Sequence, residues 1–127
     1  MTDLTRYLLD DQPKPFSHYC HGVRAGNQLW ISGTVGLTAA GGIPDDVVEQ
    51  FEIAMEHLDG VLRAAGGEPR HVVKVQVFLT DIADRAKINP VRERYFGEHR
   101  PASTLVEVSA LVDPRMKVEI EAVAVID

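Results

Sequence analysis

The sequence predicts an α+β domain: a mixed sheet of about six strands with two helices covering one face. Three observations carry this. Two strand-like runs, 100–108 and 116–126, close the chain with only a short connector between them. A long segment, 45–65, repeats its apolar residues at helical spacing. Strand-like runs at 28–34 and 72–80 flank that segment, giving the strand–helix–strand order of a crossover unit with the helix laid on the sheet.

Taken in order, Thr5 to Leu9 reads as a short first strand, and 10–15, with Pro13 and Pro15, as a loop. Tyr19 to Ala25 and Gln28 to Thr34 are two strands around a Gly26-Asn27 turn. The stretch from Gly33 to Pro44 carries Gly33, Gly36, Gly41 and Gly42 and reads as an exposed loop. No lysine–hydroxyl pair follows the last glycine, so these glycines mark turns and not a phosphate cradle. From Asp45 to Ala65, Val47/Val48, Phe51, Ala54/Met55, Leu58, Val61/Leu62 and Ala65 form one apolar stripe. Asp45 and Asp46 suit the positive start of a helix, and Gly66-Gly67 stops it. Val72 to Thr80 is β-branched, with Val73, Val75, Val77 and Leu79 expected on one face. A second, shorter helix runs from Pro90 to Glu98, with Asn89 as N-cap and Pro90 as first helical residue. The alternative is a single helix from Asp84 onward, kinked at Pro90.

In the two closing runs, strand parity sorts the side chains. Even positions (Thr104, Val106, Val108, Val118, Ile120, Ala122, Ala124, Ile126) form an almost wholly apolar face. Odd positions (Ser103, Leu105, Glu107, Lys117, Glu119, Glu121, Val123, Val125) mix carboxylates with aliphatics. Such a face suits neither bare solvent nor a plain core, and two helices can shield only one side. Self-association is the simplest cover, with a polar pocket in the interface.

At 127 residues the chain is expected to be one domain, 1–127. A formal charge of −6 and a pI near 5.3 argue against nucleic acid as a partner. No apolar run reaches the roughly 18 residues of a membrane span, and the start lacks the layout of a secretory signal. A lone cysteine, Cys20, makes no internal disulfide, which fits a reducing compartment, and cytoplasm is the expected location. His18, Cys20 and His21 crowd together, but His18 and Cys20 point away from His21 on a strand, so no metal site is expected. Cys20 has no identifiable orienting partner for nucleophilic work. Trp30 shares parity with Ser32 and either packs or walls a pocket; His57 and His71 read as surface residues.

With these elements in place, the chain resembles the RidA/YjgF family of enamine/imine deaminases (endoribonuclease L-PSP-like). The anchors run in order: Tyr19 with Gly22-Val23, Ile31-Ser32-Gly33, the Asp45-to-Gly66 helix, Val75 to Asp81, Asn89 with Tyr95-Phe96, Pro101-Ala102, Val106-Glu107-Val108, and Val118 through Ala124. The resemblance implies a chorismate-mutase-like fold, a homotrimer with sheets packed inward, and a small-molecule cleft between subunits, with no cofactor. It implies that Tyr19, Ser32, Gly33 and Asn89 line the cleft and that Glu119 carries the proton or orients water. Glu121 shares the face of Glu119; the two form an acid/base pair, or Glu121 pairs with Lys117 or an arginine across subunits.

One position departs from the family pattern. The arginine that clamps the substrate carboxylate normally follows the Pro-Ala pair, and here that residue is Ser103; the pocket position two further on, often cysteine, is Leu105. Serine cannot supply a bidentate cationic fork. Either the substrate is atypical or another cation reaches the site, with Arg100 first and Arg24 second. The expected function is hydrolysis of a small reactive enamine or imine metabolite. The alternatives are a non-catalytic trimer that binds small molecules in the same clefts, and a 2-aminomuconate-type deaminase.

Overall fold

The structure is a computed structural model and describes residues 3–127. Its strands are β1 (Leu4–Tyr7), β2 (Gly22–Ala25), β3 (Gln28–Val35), β4 (Val72–Leu79), β5 (Ala102–Glu107) and β6 (Val118–Val125). The helices are α1 (Val47–Ala64) and α2 (Arg85–Phe96). One six-stranded sheet runs in the order β1-β2-β3-β6-β4-β5. Among the described residues only β4 and β5 pair in parallel, so the sheet is mixed, as expected.

α1 starts where the sequence placed its acidic residues: the Asp46 carboxylate accepts the N–H of Glu49 at 3.2 Å. Its stripe of Phe51, Ala54, Leu58, Val61 and Leu62 is fully buried against β3 and β6. Each large side chain so removed from water contributes about 1.5–3 kcal/mol. Ile88, Val91 and Phe96 of α2 join the same core, so both helices cover one face. The other face keeps apolar surface: Trp30, Val106 and Val125 are 44 %, 37 % and 38 % exposed.

Several expectations need correction, among them the loop expected from Gly33, since Gly33 to Val35 belong to β3. The strand expected from Tyr19 begins only at Gly22; the preceding residues are held by His21, whose Nδ1 accepts the N–H of Leu9 (3.0 Å) and whose Nε2 meets the carbonyl of Pro13 (2.9 Å). The second helix starts at Arg85 and passes through Pro90, as in the alternative of a single helix from Asp84 onward, so Asn89 lies inside it and is not a cap. A 3-10 turn at Ile82–Asp84, capped by the Asp81 side chain, initiates the helix ahead of the proline. There Pro90 forfeits a single backbone bond at an exposed position. Val73 is 45 % exposed because the β4–β6 register slips between Val72 and Lys74; Val72 joins Val75, Val77 and Leu79 inside. His71 is buried, bonded to the Glu68 N–H at 2.9 Å and the Asp127 carboxylate at 2.7 Å.

The last correction concerns parity. Val77 pairs with Ile120 of β6 and with Leu105 of β5. Paired residues in adjacent strands share a face, so odd β5 positions lie with even β6 positions. Ser103 and Leu105 therefore face the helices, while Thr104 and Val106 share the open face with Glu119 and Glu121. β4 stands between the two strands, and register, not the residue count along the connector, sets their relative phase.

Candidate functional site

β3 and β6 lie side by side, with Val35 paired to Glu119 and a register shift between Ile31 and Thr34. That irregularity falls on Ser32-Gly33 and brings the Gly33 backbone under the Glu119 carboxylate. A Cβ at position 33 would sit 2.0 Å from Glu119 Oε2, so the approach requires glycine. Around this contact opens a cavity of about 370 Å³, lined by Phe16, Tyr19, Ser32, Gly33, Val112 and Glu119. Its size suits a small metabolite.

The polar groups of the cavity are fixed from behind. Ser32 donates its hydroxyl to the Cys20 carbonyl (2.7 Å) and its N–H to the His21 carbonyl (3.0 Å). The Tyr19 hydroxyl accepts the N–H of Phe16 at 3.2 Å, which leaves its own proton free to donate. Glu119 is half-buried and, among the described residues, in no ion pair. Burial, and secondarily the nearby Glu121 carboxylate, pushes its carboxyl above the ordinary glutamate value. Such a group can carry a proton in either direction. Glu121 is exposed, and the Lys117 ammonium reaches the Asp45 carbonyl instead of it.

The remaining sequence-predicted residues gather elsewhere. Asn89 and Arg100 line a second cavity with Arg92, Phe96 and Pro101, between α2 and the start of β5. There Arg92 Nη2 donates to Ser103 Oγ at 2.8 Å. Leu105 packs against the core. Within one chain, then, Tyr19, Ser32, Gly33 and Glu119 come together, and Asn89 and Arg100 come together with Arg92, which links them to Ser103, but the two groups lie on opposite faces of the sheet. Arg24, the second candidate cation, belongs to neither. Its guanidinium bonds the Gly26 carbonyl at 2.8 Å and the Ala65 carbonyl at the end of α1, where the last helical carbonyls need donors. Trp30 lines neither cavity. His57 is not simply a surface residue, since its ring contacts the Leu37 carbonyl at 2.7 Å.

Sequence reasoning missed Arg92, Phe16 and Val112. Phe16 and Val112 lie in irregular segments that carry no periodicity. Arg92 had a usable signal: once the helix is run through Pro90, Asn89, Arg92, Glu93 and Phe96 fall on one face at i, i+3, i+4 and i+7. Among the described residues no cluster of metal-ligating side chains occurs, and both ring nitrogens of His21 are taken by backbone groups. No described helix is long and apolar enough to cross a membrane.

Comparison with known proteins agrees with this architecture. A family model described as Endoribonuclease L-PSP matches residues 9–126. A RutC family protein of Pyrococcus horikoshii is 38 % identical over 117 residues, 91 % of this chain and 92 % of the relative. The 2-iminobutanoate/2-iminopropanoate deaminase of Mus musculus is 38 % identical over 116 residues, 89 % of this chain and 84 % of the relative. The crystal structure of E. coli TdcF with bound serine superposes with a TM-score of 0.90 at 32 % identity, covering 97 % of this chain and 99 % of that one. A match over nearly the whole sheet-and-helix unit, at these identities, makes the chain a member of the endoribonuclease L-PSP family, the RidA/YjgF group of proteins.

Proposed function

We propose that the chain is a cofactor-independent hydrolase that deaminates a small reactive enamine or imine. The observation that carries this reading is Glu119: a half-buried carboxyl with no ion-pair partner among the described residues, raised in pKa, and seated on Gly33 at the wall of a metabolite-sized cavity. The mouse relative's name supports the reaction class.

The chemistry follows from these groups. Water adds to the imine carbon, forming a C–O bond while the C=N electron pair moves to nitrogen. Glu119 accepts a proton from the attacking water and returns it to the nitrogen, and the resulting carbinolamine expels ammonia to leave a carbonyl. Tyr19 and the backbone around Ser32 position the water and polarise the bond. A half-buried acid near Glu121 is suited to this exchange because its proton is held at higher pH than in solvent.

The two residue groups on opposite faces are joined in this proposal by self-association as a homotrimer. The open face, with Trp30, Val106 and Val125 exposed, packs against copies of itself and brings the Asn89–Ser103 edge of one subunit to the Glu119 cavity of the next. Freshly generated 2-iminobutanoate or 2-iminopropanoate, followed by ammonia release, tests the activity. Multi-angle light scattering tests the assembly. Ammonia release no faster than in buffer for both imines would leave a non-catalytic binding protein as the reading.

A further inference from the structure

The position after Pro101-Ala102, occupied by Ser103, lacks the arginine that the resemblance leads one to expect, yet a guanidinium is present there. Arg92 reaches it from the helix: Nη2 donates to Ser103 Oγ at 2.8 Å. We propose that Arg92, delivered by α2 and seated on Ser103, is the carboxylate-binding residue of this chain. It takes over the part that a strand-borne arginine would play, so the chain accepts an ordinary small imino acid and not an atypical neutral substrate.

Four features support the assignment. Arg92 is half-buried at a cavity whose other walls are Asn89, Phe96, Arg100 and Pro101. Among the described residues it makes no ion pair, although Glu93 borders the same cavity. A structural arginine at such a site is expected to be neutralised by a carboxylate, so an unpaired one is available for an anion. Burial lowers its pKa, a sign that the guanidinium is partly stripped of water, though arginine stays charged at any working pH. Finally, the donor geometry is complementary. Arg92 spends one of its five N–H groups on Ser103 and keeps the rest, while the Ser103 hydroxyl, accepting from Arg92, retains its own proton to donate. The two side chains thus present a guanidinium and a hydroxyl to one carboxylate. Arg100 borders the cavity too, but it is exposed and, among the described residues, has no side-chain partner that would aim it.

The assignment rests on the deaminase reading for its substrate, but a stable carboxylate separates the two. The probe is 2-oxobutanoate, the keto acid left when 2-iminobutanoate loses ammonia, titrated calorimetrically into wild type, Arg92→Ala, Arg100→Ala and the double variant Arg92→Ala/Ser103→Arg. The same four proteins are assayed for imine hydrolysis, and circular dichroism confirms that each is folded. Wild type should bind the probe, and Arg92→Ala should weaken binding at least about 10-fold, the low end for losing a hydrogen bond to a charged group. The effect on hydrolysis should fall on KM more than on kcat. Restoring an arginine from the strand, in the double variant, should recover most of the loss, which a merely structural role for Arg92 would not allow. Unchanged binding in Arg92→Ala, a loss confined to Arg100→Ala, or no carboxylate binding by wild type would each overturn the assignment. Imine turnover insensitive to Arg92→Ala overturns it while leaving the deaminase reading standing. Carboxylate binding through Arg92 without imine turnover does the reverse.

Discussion

The acid side and the cation side of this fold are built on different terms. Glu119 sits over a backbone that only glycine can provide, between strands β3 and β6 near the middle of the sheet, with Ser32 tied to Cys20 behind it. Arg92 and Ser103 meet at the sheet edge, where β5 is bordered by a single neighbour and most of its residues are exposed. With Glu119 in this position there is no room for a side chain at residue 33, whereas the exposed edge receives its guanidinium from a neighbouring helix. If the proposed roles hold, the acid is set by close packing against the backbone and the carboxylate-binding cation by an exposed sheet edge.

The strongest test of that contrast acts on Glu119. Glu119→Gln keeps the volume and removes the exchangeable proton, and it should reduce imine turnover by about 10²–10⁴, the usual contribution of a positioned acid/base. Steady-state ammonia release measures it, and unchanged kcat would reassign the proton to another group. Next comes Gly33→Ala. The added methyl would lie 2.0 Å from Glu119 Oε2, and the carboxylate has to move. A displacement of about 1 Å at a reacting group can cost about 10²-fold, so kcat should fall by that order while KM changes little. A Gly33→Ala enzyme with wild-type kcat would show that the carboxylate's seat is not what positions it.

How much of this was legible from residues depends on the same contrast. The helix 45–65 and the buried parity of β6 were readable because their patterns are long and periodic, and Glu119 fell on the open face that its odd number required. The phase of β5 was not. Its six residues make no clean alternation, and β4, inserted between β5 and β6, sets which parity faces the helices. Asn89 was read as a cap because Pro90 so often opens a helix; the Asp81-capped turn that starts the helix earlier is a local competition a single proline does not reveal. Arg92 falls beside Asn89 only in the alternative helix that runs through that proline, which the Pro90 signal had made the second choice.

Stability separates the two sides as well. Gln50, on α1 beneath the connector into β6, is fully buried. Its Nε2 donates to the carbonyls of Pro44 (2.7 Å) and Arg115 (2.9 Å), and its Oε1 accepts the N–H of Lys117 (2.8 Å). It anchors the connector that brings Val112 to the cavity. Gln50→Leu strands these backbone groups and should cost at least about 2 kcal/mol, a fall in Tm of roughly 6 °C or more by calorimetry. Ser103→Ala, at the exposed edge, should stay within about 0.5 kcal/mol of wild type. A large loss there would mean that the Arg92–Ser103 contact serves the fold more than the ligand.

The smallest effect is also the most diagnostic of sign. The folded chain holds the Glu119 proton above the ordinary value of 4.5, first because burial disfavours the carboxylate and then because Glu121 repels it. Between that value and the raised one, the folded state binds more protons than the unfolded state, so stability falls as pH rises through this window. The ionised Glu119 is therefore a burden on the fold at neutral pH. Glu119→Gln should melt higher than wild type at pH 7, and the difference should vanish below about pH 4, where both side chains are neutral. The Arg92→Ala curve should run parallel to wild type across the same range, because arginine does not titrate there. If Glu119→Gln instead melts lower at pH 7, the carboxylate has an attractive partner in the assembled protein. The cation side and the acid side would then be coupled already in the absence of substrate.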